Sequence, residues 1–187
     1  LRERNTSGCG GYFTREGAIL AALYEIVQRD AFLVHWWKKK APPRIDPESV
    51  PNEMFRELWR ESQRYGFEVH CLNTTYDSDI PSVMVAIRDG SEKWPYLALG
   101  ASCGKNPATA LLKALEEAWI IYFAARKRIP YQLPENYRPF YTTLTQEERL
   151  RLVANPAYAK NYDFFLTGEI RKLSDCPFSY PESFVSE

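Results

Sequence analysis

Apolar residues repeat with helical spacing over three long stretches of the chain. The first stretch follows Thr14, a good helix N-cap, and the segment "APPR" ends it. The second is "ESVPNEMFRELWRESQRYG", which runs to Gly66, whereas the third begins at Asn106 with Pro107 as its first residue. The side chains expected to be buried are Ala18, Leu20, Ala21, Leu23, Tyr24 and Val27 in the first helix and Met54, Phe55, Leu58, Trp59 and Tyr65 in the second.

Strand-like patterns occupy the region between the second and third helices. "FEVHCLNTT" alternates, and the apolar runs "SVMVAIRDG" and "KWPYLALGA" are expected to pair as an antiparallel hairpin. Short helices are predicted near "TQEERLRLV" and "PAYAKNYDFFLTG", followed by an extended tail, "SDCPFSYPESFVSE". The whole pattern predicts an α/β fold of the α+β type, with long helices packed on an antiparallel or mixed sheet, in a single domain over residues 1–187.

The composition of the chain argues against several classes of binding partner. The 187 residues are 45% hydrophobic and 26% charged, which is typical of a globular protein. Because 24 basic residues balance 24 acidic ones, bulk charge argues against binding to nucleic acid or to an anionic membrane. No apolar run approaches the roughly 20 residues of a membrane span. The four cysteines are far apart and only two histidines accompany them, so we expect a cytoplasmic protein without structural zinc.

A polar group interrupts the first helix. Glu25, Gln28 and Arg29 are spaced i, i+3 and i+4, which places their side chains on one face. The glycine-rich turn "TSGCGG" precedes this helix, and glycines let backbone N–H groups approach an anionic ligand closely. The residues alone leave two interpretations open: a ligand-binding face, or a tight turn followed by a partly solvated helix.

A second candidate lies at the start of the third helix. Lys105 and the helix N-terminus could meet phosphate oxygens, and Glu116 or Glu117 deeper in the helix could hold Mg²⁺. The alternative is a capped amphipathic helix with two surface glutamates. A third candidate, the pair Asp77 and Asp79 in "TTYDSDIPS", is more simply explained as turn residues that bond their own backbone.

Taken in order, four of these segments resemble the YcaO family, ATP-dependent enzymes that activate backbone amides of peptides. The segments are "TSGCGG" with "EGAILAALYEIVQRDAFLVHWW", "YGFEVHCLNTTYDSDIPSVMVAIRD", "YLALGASCGKNPATALLKALEEA" and "ANPAYAKNYDFFLTG". The resemblance extends from Thr6 to Gly168 and corresponds to the later, C-terminal half of such a domain. We therefore expect a YcaO-like fold and a chain that is the later part of a longer polypeptide.

The resemblance implies roles for particular residues. Arg29 would meet ATP phosphates, and Ser7 would lie beside the nucleotide. Lys105 is added to the ATP-binding residues because it could meet phosphate oxygens at the start of the third helix. The predicted site consists of Arg29 and Glu117 for catalysis, Ser7, Arg29 and Lys105 for ATP, and Glu25, Gln28 and Glu117 for Mg²⁺. Two positions depart from the family pattern: Gln28 stands where a second glutamate is usual, and Ile120 where a glutamine is usual. The chain also ends in "SYPESFVSE" and lacks the proline-rich terminus of many azoline-forming members.

The implied activity is cyclodehydration in the biosynthesis of ribosomally made, post-translationally modified peptides. A Cys, Ser or Thr side chain of the precursor peptide adds to the preceding carbonyl, the oxyanion accepts the γ-phosphoryl group of ATP, and loss of phosphate leaves a thiazoline or oxazoline. The expected partners are a precursor peptide, a leader-peptide-binding protein and a second copy in a homodimer. The departures keep two alternatives open: a catalytically degenerate, peptide-binding scaffold subunit, or a thioamide- or amidine-forming relative.

Overall fold

The computed structural model describes residues 7–91, 93–128 and 145–178. Within these ranges it contains a five-stranded sheet and five α-helices. The helices are α1 Arg15–Lys38, α2 Glu53–Arg64, α3 Pro107–Arg126, α4 Gln146–Val153 and α5 Pro156–Ala159. The strands are β1 Arg44–Ile45, β2 Phe67–Asn73, β3 Ser82–Asp89, β4 Leu97–Cys103 and β5 Ile170–Arg171. Three 3₁₀ turns, Pro47–Ser49, Lys160–Leu166 and Leu173–Asp175, complete the described elements. The predicted fold class is confirmed.

The strands lie in the order β4-β3-β2-β1-β5, so β4 forms one edge of the described sheet. β2, β3 and β4 form an antiparallel meander, in which Ser82 pairs with Cys103 and Arg88 with Leu97. This pairing confirms the predicted hairpin. Only the contact between β1 and β5 is parallel, which makes the sheet mixed.

Helices cover both faces of the sheet. Because side chains alternate along a strand, Val83, Val85 and Ile87 of β3 point to one face and Met84 and Ala86 to the other. The first set packs in one core with the apolar residues of α2 and α3. Met84 packs in a second core that contains aromatic residues of α1 and of the turn Lys160–Leu166. The helices α1 and α3 therefore lie on opposite faces, and both reach the edge strand β4.

Side-chain caps fix where the long helices start. Thr14 Oγ1 accepts a hydrogen bond of 3.1 Å from the backbone N–H of Gly17, and Asn106 Oδ1 accepts one of 3.1 Å from Thr109. Both caps were predicted from residue type, and both are confirmed. Gly66 follows α2 with a φ of +83°, a backbone conformation that suits glycine.

Several local predictions were wrong. The helix α2 begins at Glu53, after a separate 3₁₀ turn, because Asn52 caps it through a bond to Phe55 N–H. The two-residue strands β1 and β5 were missed, since two residues carry no detectable alternation. Four side chains expected to be buried are largely exposed: Leu20, Leu23, Met54 and Tyr65.

The predicted extended tail begins differently. Leu173–Asp175 forms a 3₁₀ turn, and Leu173 and Cys176 are buried in the core shared by α2 and α3. Residues 179–187 of the predicted tail lie outside the described ranges. Among the described residues, no helix is both long enough and apolar enough to cross a membrane.

Candidate functional site

A carboxylate of α3 is bound at the open edge of the sheet. The backbone N–H of Ala101 on β4 donates a hydrogen bond of 2.7 Å to Glu117 Oε2. This N–H points away from β3, where an edge strand has no partner strand. The other oxygen, Glu117 Oε1, makes no hydrogen bond to any residue that the structure describes. One carboxylate oxygen is thus anchored to the sheet and the other is left for a ligand.

Gly100 allows α3 to approach so closely. A Cβ atom at this position would lie 2.1 Å from the carbonyl oxygen of Ala114 and 2.4 Å from the backbone nitrogen of Ala118. Both are backbone atoms of α3 and cannot move aside independently. Glycine is therefore required for the contact that brings Glu117 to Ala101.

Glu117 lines a cleft between α1 and α3 at this sheet edge. The cleft has a volume of about 280 Å³. Its lining residues are Gln28, Arg29, Phe32, Met84, Leu99, Gly100, Ala101 and Glu117. The structure therefore brings Gln28, Arg29 and Glu117, three of the predicted site residues, to one cavity. The polar groups come from two helices on opposite faces, and apolar residues form much of the remaining wall.

Electrostatics destabilise the charge on Glu117. Partial burial raises the pKa of its carboxyl group, and the negative charge of Glu25 raises this pKa further. The N–H of Ala101 and the guanidinium of Arg29 act in the opposite direction, but the net pKa shift is upward. A divalent cation in the cleft would compensate for the two neighbouring carboxylates.

Glu25 forms a small network at the rim of the cleft. Its Oε1 accepts a hydrogen bond of 2.9 Å from Arg29 Nε and lies 2.7 Å from Arg29 Nη2. Its Oε2 accepts a bond of 3.2 Å from the backbone N–H of Gly8. Ser7, next to Gly8, is exposed. Glu25 thus joins the glycine-rich turn to α1, and it orients Arg29 without itself lining the cleft.

The remaining candidate residues lie outside the cleft of Glu117. Lys105 lines a separate, neighbouring cavity, so it is not brought into the cleft of Glu117. Glu116 and Ile120 on α3 point away and are exposed, Ile120 by 68%. Asp77 and Asp79 are exposed in the turn before β3, as expected for turn residues.

Both histidines have local partners. His35 is buried, and its Nδ1 lies 2.9 Å from the carbonyl oxygen of Lys40. His70 contacts Arg44 and Glu68 on the sheet. Burial lowers the pKa of both histidines, so they are neutral near pH 7. These contacts hold both histidines within the packed fold.

The oxygen donors at the cleft suit Mg²⁺. Within the described ranges, no group of three or more His, Cys, Asp or Glu side chains could hold a metal ion by itself. The donors that line the cleft are the carboxylate of Glu117 and the amide of Gln28, whereas Glu25 lies at the rim with both of its oxygens hydrogen-bonded. Mg²⁺ in phosphate-transferring sites is typically bound by one or two carboxylates, with substrate phosphates and water in the remaining positions. The donor set therefore fits a magnesium ion that arrives with a phosphorylated ligand.

Comparison with known proteins identifies the family. Residues 1–182 match the family described as YcaO cyclodehydratase, ATP- and Mg²⁺-binding. The chain belongs to the YcaO family. A relative, an uncharacterized protein in the tfuA 3′ region of Rhizobium leguminosarum bv. trifolii, is 28% identical over 125 residues, which cover 62% of this chain and 30% of the relative.

Solved YcaO structures share the fold. The YcaO protein of Methanopyrus kandleri, bound with AMPPCP and Mg²⁺, has a TM-score of 0.69 at 19% identity and covers 95% of this chain. The Escherichia coli microcin synthetase McbBCD complex with pro-MccB17 bound gives a TM-score of 0.69 at 18% identity over 99% of this chain. The matched regions are 43% and 46% of those chains. The present chain thus spans less than half of these structures and about a third of the curated relative's length.

Five of the eight residues that line the cleft were not predicted from the sequence. Reasoning from the sequence selected polar residues and overlooked Phe32, Leu99 and the edge N–H of Ala101. A glycine within an apolar strand, followed by a carboxylate about three turns into the next helix, is a signal that could have indicated the contact between β4 and α3.

Proposed function

We propose that this chain is part of an enzyme that uses ATP and Mg²⁺ to activate backbone amides of a precursor peptide, converting Cys, Ser or Thr residues to azolines. The observation that carries the proposal is the position of Glu117, which faces Gln28 and Arg29 across one cleft. The family description as cyclodehydratase, and the related structure bound with AMPPCP and Mg²⁺, support it.

Each polar residue has a distinct part in this proposal. The free oxygen of Glu117 and the amide oxygen of Gln28 supply ligands for Mg²⁺, and Glu25 contributes the second negative charge. Arg29, 49% exposed at its side chain, reaches phosphate oxygens while Glu25 holds its guanidinium. When bound, Mg²⁺ and ATP supply the positive charge and the phosphoryl group. Ser7 lies beside the nucleotide in this proposal, because the hydrogen bond from its neighbour Gly8 to Glu25 holds the turn against α1.

The residues at the cleft favour charge stabilisation over acid–base chemistry. Phosphoryl transfer depends mainly on positioning and on neutralising the charge of the transferred group. Arg29 stabilises that charge directly, and the apolar wall containing Phe32 and Leu99 limits the access of water to it. The peptide side chain itself supplies the nucleophile, so the chain needs no nucleophilic residue of its own.

A second candidate is a catalytically degenerate subunit that binds the precursor peptide as a scaffold. Two residues favour it: Gln28 provides an uncharged ligand, and Ile120 presents an apolar side chain three residues after Glu117. A multi-protein complex such as the microcin synthetase is the setting in which such a subunit would act. A thioamide- or amidine-forming enzyme would use the same cleft with a different nucleophile.

Mass spectrometry of a Cys- and Ser-containing precursor peptide separates these functions. With the intact protein, its partner protein, ATP and Mg²⁺, an azoline-forming enzyme removes one water per modified residue. The Glu117→Gln variant should lose this activity, whereas Glu116→Gln, the matched change at the exposed neighbour, should retain it. Binding of the peptide without loss of water, whether or not ATP is present, would favour the scaffold.

A further inference from the structure

A second cavity lies beside the cleft of Glu117 at the same edge of β4. It has a volume of about 210 Å³, and its lining includes Tyr24, Ser102, Lys105, Thr109 and Lys113. On β4, Ser102 follows Ala101 of the first cleft. On α3, Lys113 lies about one helical turn before Glu117, a separation of roughly 6 Å along the axis. The two cavities are therefore neighbours built from the same helices and strand.

The second cavity is lined by two basic side chains and no acidic one, whereas one basic and one acidic side chain, Arg29 and Glu117, line the first. Lys105 and Lys113 both line the second cavity, and neither forms an ion pair with any residue in the described ranges. Both side chains are exposed, and an anion between them would offset the repulsion of their positive charges. The start of α3 at Pro107 adds the partial positive charge of a helix N-terminus.

Ser102 provides an independent indication of a ligand. The residue is only 9% exposed and lines the cavity, yet its hydroxyl makes no hydrogen bond within the described part of the chain. The hydroxyl oxygen is not fully buried, so it is left to pair with water or with a ligand in the cavity. A hydroxyl donor that faces a cavity containing two ammonium groups matches the needs of an oxyanion.

We propose that this second cavity binds an oxyanion, a phosphate or carboxylate group, without Mg²⁺. Lys105 and Lys113 neutralise its charge, and the Ser102 hydroxyl donates a hydrogen bond to it. The inference extends the phosphate contact expected of Lys105 to Lys113 and Ser102, and it requires neither the metal nor catalysis. The anion is either a group of the nucleotide bound in the first cleft or a separate small ion.

Equilibrium dialysis of the intact protein with radiolabelled inorganic phosphate, in EDTA, tests the site. The double variant Lys105→Gln/Lys113→Gln should bind phosphate at least about tenfold more weakly, since it loses two charge-assisted hydrogen bonds. Ser102→Ala, which removes one neutral donor, should weaken binding about threefold. The control Lys127→Gln/Lys160→Gln removes the same charge at exposed sites and should bind like the wild type.

A second arm identifies the source of the anion. If saturating AMPPCP with Mg²⁺ displaces phosphate, the anion belongs to the nucleotide; if both bind together, it is a separate ion. Either result supports the site. Glu117→Gln should leave metal-free phosphate binding unchanged, so a failure of the proposed function would be distinguishable. No phosphate binding, or equal loss in the control pair, would overturn the inference.

Discussion

The backbone N–H of Ala101 and the carboxylate of Glu117 are joined by a hydrogen bond of 2.7 Å that ties the open edge of the sheet to α3. The bond engages one carboxylate oxygen and leaves the other facing a cleft that Gln28 and Arg29 also line. Secondary structure alone would leave that N–H exposed, and this pairing turns the edge of β4 into a wall of the candidate site.

Removal of the Gly100 contact should disrupt this arrangement. Gly100→Ala places a Cβ atom 2.1 Å from a backbone oxygen of α3, so β4 and α3 must separate. We expect a loss of about 1–3 kcal/mol in the free energy of unfolding, measured by urea denaturation, together with weaker nucleotide binding. Gly104→Ala is the control, because a Cβ atom there meets nothing within 4 Å. Equal stability of the two variants would contradict the close approach.

The stability of the metal-free protein should depend on the ionisation of Glu117. Because the folded-state pKa is raised, the protonated carboxyl contributes stability that is complete below the ordinary pKa of a glutamate and is lost as the pH rises through the raised value. Glu117→Gln keeps an oxygen for Ala101 and cannot ionise. Its unfolding free energy relative to wild type should therefore increase as the pH rises through the acidic range.

Urea denaturation in EDTA at a series of pH values measures this difference. Glu116→Gln, at an exposed position of the same helix, should show no comparable trend. A difference between wild type and Glu117→Gln that stays constant with pH would mean that burial does not destabilise the carboxylate.

Arg29 should matter for ligand binding and little for folding. Its ion pair with Glu25 is an i, i+4 surface pair, which contributes only about 0.3–0.5 kcal/mol. We expect Arg29→Ala to keep its unfolding free energy within about 0.5 kcal/mol of wild type and to bind AMPPCP with Mg²⁺ at least about tenfold more weakly. Arg64→Ala, which breaks the helix pair with Glu61, is the control. Unfolding of the Arg29 variant would show that this face is structural.

Gln28 offers a gain-of-function test. Gln28→Glu adds a charged ligand at the cleft, and the affinity of hard cations rises with the number of charged ligands. The Mg²⁺ concentration for half-maximal AMPPCP binding should fall by about tenfold. Gln63→Glu, at an exposed position on α2, should leave it unchanged. An unaltered Mg²⁺ requirement in both variants would exclude Gln28 as a ligand.

Two helix starts were predictable because the single side chains Thr14 and Asn106 determine them, whereas the Asn52 cap of α2 was missed. The exposure of Leu23 and Met54 was not, because periodicity identifies an apolar stripe without stating which neighbour covers it. The polar residues of the site, in contrast, could be selected from residue type and from the family resemblance. The role of Ala101 was invisible, because it depends on a backbone N–H and on the position of β4 at the sheet edge.

Calorimetric titration of the intact protein with AMPPCP and Mg²⁺ tests the central claim most directly, by comparing Glu117→Gln with Glu116→Gln. If the carboxylate at the edge of β4 binds the metal and nucleotide, the affinity should fall at least about tenfold, or 1.4 kcal/mol, in the first variant and stay unchanged in the second. Equal affinity in both variants would contradict the assignment of this cleft as the nucleotide–metal site.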